Sequence, residues 1–252
     1  MPAVIIEKRS PKITIVTLNR PERRNALTIE LLMELTAAIK EAAADVNRRV
    51  LILRGAGPAF CTGLDLKATS PVHATAEMVA KTLIALSQTR LITIAAVHGA
   101  VVAGGAGLMS ACDFVIAAEG TKIGYPEVRR GLVAGLVMTF LRRQVGERNM
   151  RELLLGSELI DVERAREMGL VNSIVAEGDL MTKAQKFASS VLQGAPSALA
   201  QTKKLIEELW SSSVKEDVDL ALKYHVQARE SDEAREGIAA FNEKRPPKWI
   251  SR

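Results

Sequence analysis

Two short glycine-bearing segments, 59–66 and 98–107, place the strongest constraint on what this chain can fold into and do. Each segment directly follows an apolar, β-like run, the first at 50–53 and the second at 92–97. A glycine-bearing segment at the exit of a strand can present backbone N–H groups with no side chain in front of them. Two such donors facing each other would form an oxyanion hole, so the pair predicts chemistry on a carbonyl group.

The composition is that of an ordinary globular protein. Of the 252 residues, 48% are hydrophobic and 25% are charged. The N-terminus lacks a basic stretch followed by an apolar core, and no apolar run approaches the roughly 20 residues that span a bilayer, so we expect a cytoplasmic protein with no membrane partner. The two cysteines, Cys61 and Cys112, show no metal-ligand spacing. We therefore predict free thiols and no metal site.

Strand-like and helix-like patterns alternate along the first two-thirds of the chain. Two β-rich runs, 4–8 and 13–18, flank a proline-containing turn and predict a hairpin. Thr28 is a good N-cap for a helix whose apolar residues recur every three to four positions. From about 178 to 242 the pattern is helical throughout, with Pro196 at a helix start. The sequence therefore predicts an α/β fold with a helical C-terminal region.

Further motifs accompany the two glycine-bearing segments in a fixed order. They are Leu18-Asn19-Arg20-Pro21-Glu22, Arg24-Asn25-Ala26-Leu27, Asp113, Tyr125-Pro126-Glu127 and Arg164-Ala165-Arg166-Glu167-Met168-Gly169-Leu170-Val171. Together they resemble the enoyl-CoA hydratase/isomerase family, also called the crotonase family, over nearly the whole chain. The resemblance implies a ClpP/crotonase spiral of ββα units over 1–195 and C-terminal helices for subunit packing over 196–252. It also implies homotrimers, commonly paired into hexamers.

The expected oxyanion hole fits the acyl-CoA thioesters on which this family acts. A thioester that passes through an enolate gathers negative charge on its carbonyl oxygen. Two fixed amide donors stabilise that charge by several kcal/mol in a water-poor site. By position in the family pattern, the backbone N–H groups of Leu64 and Gly104 are the predicted donors.

One carboxylate is present where hydratases of the family have two. Glu127 occupies the position of the second glutamate and is the predicted catalytic base, with a pKa raised by burial. The first position falls on Gly107, which has no side chain and which we expect next to the substrate. One carboxylate can move a proton between two carbons of a polarised acyl-CoA, so we expect double-bond isomerisation. Hydration by a one-glutamate enzyme is the alternative, and hydratase-lyase, thioester hydrolysis, decarboxylation and retro-aldol reactions use the same oxyanion hole.

Residues near Glu127 supply further candidates for substrate contact. Tyr125 has a hydroxyl that can hydrogen-bond a substrate hydroxyl or a water, and packing as a core aromatic is the alternative. Segment 134–137 replaces a Pro-Gly-rich turn of the family and is expected to line the acyl pocket. The three histidines lack ligand spacing, and we predict that they are structural or face solvent; they are His73, His98 and His225.

Coenzyme A is expected along the first β–α turn and the first glycine-bearing segment. The resemblance places the following residues there: Arg24, Ala26, Thr62, Leu64, Asp65 and Leu66. Arg24 would lie near a phosphate, and Lys244, in the basic tail, would meet the 3′-phosphate at a neighbouring subunit. From composition alone, both basic stretches are equally typical of solvated surface. Coenzyme A enters as part of the substrate, so we expect no separate cofactor.

Two functions of other classes remain as alternatives. The net charge of +5 and the pI of about 9.3 suit any polyanion, nucleic acid as well as coenzyme A. A nucleic-acid binder is disfavoured because no binding motif is present and only 4% of the residues are aromatic. A catalytically silent CoA-binding subunit is disfavoured by the presence of Glu127.

Overall fold

A mainly parallel sheet forms the centre of the molecule. The computed structural model describes residues 2–8, 10–67 and 71–249. The strands are β1 (Val4–Glu7), β2 (Ile13–Leu18), β3 (Val50–Gly55), β4 (Ile92–Val97), β5 (Ala100–Val102), β6 (Phe114–Ala118), β7 (Lys122–Gly124), β8 (Ile160–Asp161) and β9 (Ser173–Val175). The large sheet has the order β1-β2-β3-β4-β6-β9, in which β1 is antiparallel to β2 and every other neighbouring pair is parallel.

Helices cover the sheet and make up the C-terminal region. They are α1 (Ile29–Ala44), α2 (Val72–Ser87), α3 (Gly104–Ser110), α4 (Gly135–Leu141), α5 (Glu147–Arg151), α6 (Val162–Glu167), α7 (Leu180–Val191), α8 (Pro196–Glu208), α9 (Val214–Arg229) and α10 (Asp232–Glu243). Short 3₁₀ helices span Pro21–Arg23, Glu127–Arg130 and Glu177–Asp179, and a π-helical turn spans Glu152–Gly156. Among the helices that the structure describes, none is long and apolar enough to cross a membrane.

Two apolar layers lie on the two faces of the large sheet. Successive side chains of a strand point to opposite faces. Ile52 and Ile94 accordingly pack with Ala184 of α7, whereas Leu51 and Leu53 belong to the larger cluster formed with α1 and α2. A parallel sheet that is covered on both faces has strands that are apolar along their whole length, as these are. The predicted α/β fold with a helical C-terminal region is confirmed.

Local signals in the sequence set several element boundaries correctly. The predicted hairpin is present, with Val4 opposite Leu18. The Thr28 hydroxyl accepts a hydrogen bond from the backbone N–H of Leu31 at 3.3 Å, so Thr28 is the N-cap of α1. Pro196 begins α8, where a missing N–H costs nothing. These three predictions are confirmed.

A second, smaller sheet brings the ends of two further strands to one edge. It has the order β5-β7-β8, and β5 runs parallel to β7 with Val102 opposite Gly124. Gly104 follows β5 by two residues, and Glu127 follows β7 by three. Because parallel neighbours end at the same edge, the sheet places both residues on the same side of the molecule.

Candidate active site

The structure brings the two glycine-bearing segments together as a short ladder. The N–H of Phe60 donates to the carbonyl of His98 at 2.9 Å, and the N–H of Cys61 donates to Ala100 at 3.2 Å. The N–H of Val102 donates to the carbonyl of Cys61 at 3.0 Å. The segments meet because β3 and β4 are parallel neighbours whose carboxyl ends share an edge.

Two backbone donors stand free where the segments approach most closely. A methyl group built on Gly63 would lie 3.2 Å from the Gly104 nitrogen, and one built on Gly104 would lie 3.9 Å from the Leu64 nitrogen. The backbone N–H of Leu27 donates to the carbonyl of Gly63 at 2.8 Å, and the carbonyl of Leu27 accepts from the N–H of Asp65 at 2.9 Å. These two bonds hold the residues before and after Leu64. Within the described part of the chain, the N–H groups of Leu64 and Gly104 donate no hydrogen bond. Such unpaired donors are uncommon, and this pair is available to an oxyanion.

Ala103 holds a strained backbone conformation immediately before one of these donors. Its φ of 52° and ψ of −122° lie outside the regions that non-glycine residues normally occupy. The Ala103 N–H donates to the carbonyl of Gly124 at 2.9 Å, which fixes the residue to β7. Strain of this kind costs of order 1–3 kcal/mol and persists where surrounding contacts impose it. The turn at Ala103 sets the direction of the Gly104 N–H.

Glu127 carries the acid-base chemistry of the site. The residue is partly exposed, but its Oε2 atom is buried and has no hydrogen-bond partner among the described residues. Burial raises the pKa of Glu127 to about 7, and the Arg130 guanidinium acts weakly in the opposite direction. A carboxyl group with this pKa exists in both protonation states near neutral pH, which suits a group that accepts and returns a proton.

Val137 of α4 packs against Gly107. A Cβ atom built on Gly107 would lie 2.4 Å from Cγ1 of Val137, so α4 fills the direction in which a glutamate would project. Helix α4, which segment 134–137 opens, packs against α3 and α9, and a Cβ atom on Gly135 would lie 2.7 Å from the carbonyl oxygen of Ala221. Contact of Gly107 and of segment 134–137 with the substrate remains a prediction.

Tyr125 is a core residue. Its side chain is fully buried, and its hydroxyl shares a hydrogen bond of 2.9 Å with the Ser110 hydroxyl. Burial raises the pKa of the Tyr125 phenol. Of the two predicted roles, the structure shows packing as a core aromatic, and contact of the hydroxyl with the substrate stays a prediction.

Asp65 ties the first glycine-bearing segment to the turn before α1. Its carboxylate pairs with Arg20 at 3.3 Å and with Arg23 at 3.2 Å. Burial raises the pKa of Asp65, but the hydrogen bonds from Arg20 and the Lys67 backbone outweigh burial and hold the pKa below its usual range. The backbone N–H of Asp65 is bonded to the Leu27 carbonyl, and contact of Asp65 with coenzyme A remains a prediction.

The other residues assigned to coenzyme A lie on the surface near this turn, except for Lys244. The Thr62 hydroxyl donates to the carbonyl of Arg24 at 3.3 Å, and Arg24 is exposed with a left-handed φ of 49°. Lys244 is also exposed and ends α10, with a φ of 56°. Contacts of coenzyme A with these three residues, and with Ala26 and Leu66, remain predictions.

A cavity opens beside Leu64 on the side of α9. Its walls come from residues 27–29 and 64–66, from α2 and from α9, whereas Glu127 and Gly104 do not line it. His225 and Arg229 of α9 are part of the wall. Residues four apart in a helix share a face, and this spacing is the signal for the pair in the sequence.

The three histidines have different surroundings. His98 is buried and its Nε2 lies 2.8 Å from the carbonyl oxygen of Gly57, and His73 is exposed and pairs with Glu230 at 3.1 Å. For these two the prediction of a structural or solvent-facing role is confirmed. His225 is half-buried, lines the cavity wall and hydrogen-bonds the Val133 backbone, which agrees with a structural role.

Comparison with known families and proteins decides the family. The sequence profile of the family described as Enoyl-CoA hydratase/isomerase matches residues 8–252. This chain belongs to that family. A Thermus thermophilus relative whose name contains the words enoyl-CoA hydratase is 38% identical over 256 residues, covering 97% of this chain and 100% of the relative.

Other relatives and solved structures agree with the assignment. The mevalonyl-coenzyme A hydratase sidH of Aspergillus fumigatus is 31% identical, covering 95% of this chain and 92% of that protein. The crystal structure of an enoyl-CoA hydratase from Mycobacterium avium matches with a TM-score of 0.87 and 31% identity, covering 99% of both chains. A carnitinyl-CoA hydratase from the same organism matches with a TM-score of 0.87 and 28% identity. The predicted crotonase fold is confirmed.

Proposed function

We propose that this enoyl-CoA hydratase/isomerase family member adds water to 2-enoyl-CoA thioesters, with Glu127 as its one acid-base group. The observation that carries the proposal is the pair of unbonded N–H groups at Leu64 and Gly104, at the same sheet edge as a carboxyl group of pKa about 7. The hydratase names of the relatives favour hydration over the other reactions of the family.

The proposed reaction needs two hydrogen-bond donors and one proton carrier. The thioester oxygen accepts hydrogen bonds from Leu64 and Gly104, which draws electrons from the double bond and makes C3 electrophilic. The Glu127 carboxylate takes a proton from water as the water oxygen bonds to C3. The resulting enolate collapses, and the carboxylic acid returns its proton to C2. One glutamate then completes the addition without a partner at position 107.

Isomerisation of a 3-enoyl-CoA is the second candidate. The observation that favours it is the contact of Val137 with the space at Gly107, which replaces a water-binding carboxylate by an apolar wall. Glu127 would remove a proton from C2 and return it to C4, while the oxyanion donors hold the enolate between the two steps. Both candidates use the same three residues and differ only in whether water enters.

Measuring both reactions on one preparation distinguishes them. Wild-type protein is assayed for 3-hydroxyacyl-CoA formed from crotonyl-CoA and for 2-enoyl-CoA formed from 3-hexenoyl-CoA. We expect hydration, with kcat lowered by roughly 10²–10⁴ in Glu127→Gln. Glu119→Gln, at an exposed glutamate, is the matched control and should keep wild-type kcat. Isomerisation without hydration would replace the first candidate by the second, and full activity of Glu127→Gln would reject both.

We further propose that the chain acts as a homotrimer or as a hexamer of two trimers. Large apolar side chains are exposed on the C-terminal helices: Leu205, Ile206, Leu209, Leu220 and Phe241. Exposed apolar groups of this size on adjacent helices are typical of surfaces that bind another protein chain. Light scattering on the full chain measures the mass, and a monomer at micromolar concentration would contradict the proposal.

The phosphate contacts of Arg24 and Lys244 are a proposal that binding measurements can test. Both side chains are exposed cations, so each can pair with a phosphate of coenzyme A. Coenzyme A should bind more tightly than its 3′-dephospho form, with a difference that shrinks as salt rises. Equal affinities of the two compounds at low salt would rule out the 3′-phosphate contact.

A further inference from the structure

Arg229 is a half-buried cation in the wall of the cavity. It lies in the last turn of α9 and lines the cavity beside Leu64. Among the described residues, no carboxylate or carbonyl pairs with its guanidinium, and burial alone lowers its pKa. A partly desolvated guanidinium without a counter-ion is a favourable place for an anion.

The remainder of the cavity wall offers no anion to Arg229. Asp65 is the acidic residue in the wall, and its carboxylate already pairs with Arg20 and Arg23. Burial and the neighbouring Arg229 lower the pKa of His225, while its hydrogen bond to the Val133 backbone acts in the opposite direction. The imidazole is therefore neutral, and its one N–H is used on the Val133 carbonyl. The cavity therefore carries the positive charge of one guanidinium.

Apart from Thr28, Thr75, Asp65 and the two residues of α9, the cavity wall is apolar. The wall contains Leu27, Ile29, Leu64, Leu66, Val72 and Ala76. Such a surface suits the carbon chain of an acyl group and does not suit a diphosphate, which needs several donors. Leu64 lines the cavity and supplies a proposed oxyanion donor, so a chain that starts at the thioester can enter this cavity.

We propose that the substrate is an acyl-CoA whose acyl chain ends in a carboxylate, and that Arg229 binds this carboxylate. The chain lies along the apolar wall, and the carboxylate accepts hydrogen bonds from the guanidinium. A guanidinium recognises a carboxylate with two parallel hydrogen bonds, which fixes the position of the chain as well as its charge. This inference rests on the proposed function, because it places the thioester at Leu64.

Two substrates of similar size test the preference for a carboxylate. Glutaconyl-CoA is a 2-enoyl-CoA with a terminal carboxylate, and 2-hexenoyl-CoA has an uncharged chain. Wild type should show the higher kcat/KM for glutaconyl-CoA. Arg229→Met should lower that value roughly 10- to 100-fold and change the value for 2-hexenoyl-CoA less than about threefold. Lys223→Met removes an exposed cation of the same helix, outside the cavity wall, and should change neither value.

A binding measurement keeps this test independent of turnover. Both thioesters are titrated into Glu127→Gln and into the double variant Glu127→Gln/Arg229→Met. The inference is supported if glutaconyl-CoA binds Glu127→Gln more tightly than 2-hexenoyl-CoA does and this preference disappears in the double variant. The same result holds if wild type shows no turnover, and then only the proposed reaction fails. Arg229→Lys retains the charge in case Arg229→Met does not fold, and it should keep a reduced preference for glutaconyl-CoA.

Two results would overturn the inference. An equal loss of affinity for both thioesters in the Arg229 variants would mean that the guanidinium binds a phosphate of coenzyme A. The absence of a preference for glutaconyl-CoA in wild type and in Glu127→Gln would mean that the cavity accepts an uncharged chain.

Discussion

Replacing Glu127 by glutamine should stabilise the folded protein at alkaline pH while it removes activity. Burial raises the pKa of Glu127 from its ordinary 4.5 to about 7 on folding. Below pH 4.5 the side chain is protonated in both states and costs nothing. Between pH 4.5 and about 7 the unfolded chain releases this proton while the folded protein retains it, so stability falls across that window and levels off above about 7. The difference between the two pKa values corresponds to about 3 kcal/mol, of which about 2 kcal/mol is lost between pH 5 and pH 8.

Urea unfolding at pH 5 and at pH 8, at one fixed protomer concentration, measures this effect. The free energy of unfolding of wild type relative to Glu127→Gln should fall by about 2 kcal/mol between the two pH values. Glu119→Gln is the control and should follow wild type. In the same pH range, kcat/KM of wild type should drop about tenfold per pH unit below 7, because the carboxylate form is the base. If the free energies of unfolding of wild type and of Glu127→Gln changed equally with pH, the argument that burial of this carboxyl sets its pKa would be refuted.

Three other substitutions test the packing around the site. Gly107→Glu should lower the free energy of unfolding by about 1–3 kcal/mol, because its Cβ atom would lie 2.4 Å from Val137, and adding Val137→Gly should restore part of that loss in urea unfolding. Ser110→Ala should cost about 1–3 kcal/mol in the same assay without changing kcat, because it leaves the Tyr125 hydroxyl buried and unpaired. Gly63→Ala should lower kcat about 10²–10³-fold with affinity for free coenzyme A retained, because the residue has a φ of 87° next to the oxyanion donors.

Each of these expectations has an outcome that contradicts it. Unchanged stability of Gly107→Glu would mean that α4 moves aside easily and that the site has room for a second carboxylate. A large fall in kcat for Ser110→Ala would return Tyr125 to the substrate side of the site. Wild-type kcat for Gly63→Ala would separate the backbone at Leu64 from catalysis.

The amino-acid order alone determined the class of fold and the type of site. Apolar runs followed by glycine-bearing segments specify strands with exposed backbone at their exits, because both signals lie within a few residues of each other. The N-cap at Thr28 and the start of α8 at Pro196 are equally local. Glu127 was identified from the place of the Tyr125-Pro126-Glu127 motif in the family pattern that the chain resembles.

Only the tertiary structure decided what fills the space around that site. Val137 closes the gap at Gly107, and Ser110 takes the hydroxyl of Tyr125; neither contact has a signal in the local sequence. The charge of Arg229 belongs to a cavity because α9 packs against α2 far from it in the chain. Periodicity shows which face of a helix is apolar. Which residue a given side chain contacts depends on how elements distant in the chain pack against each other. That packing is fixed by the folded core as a whole.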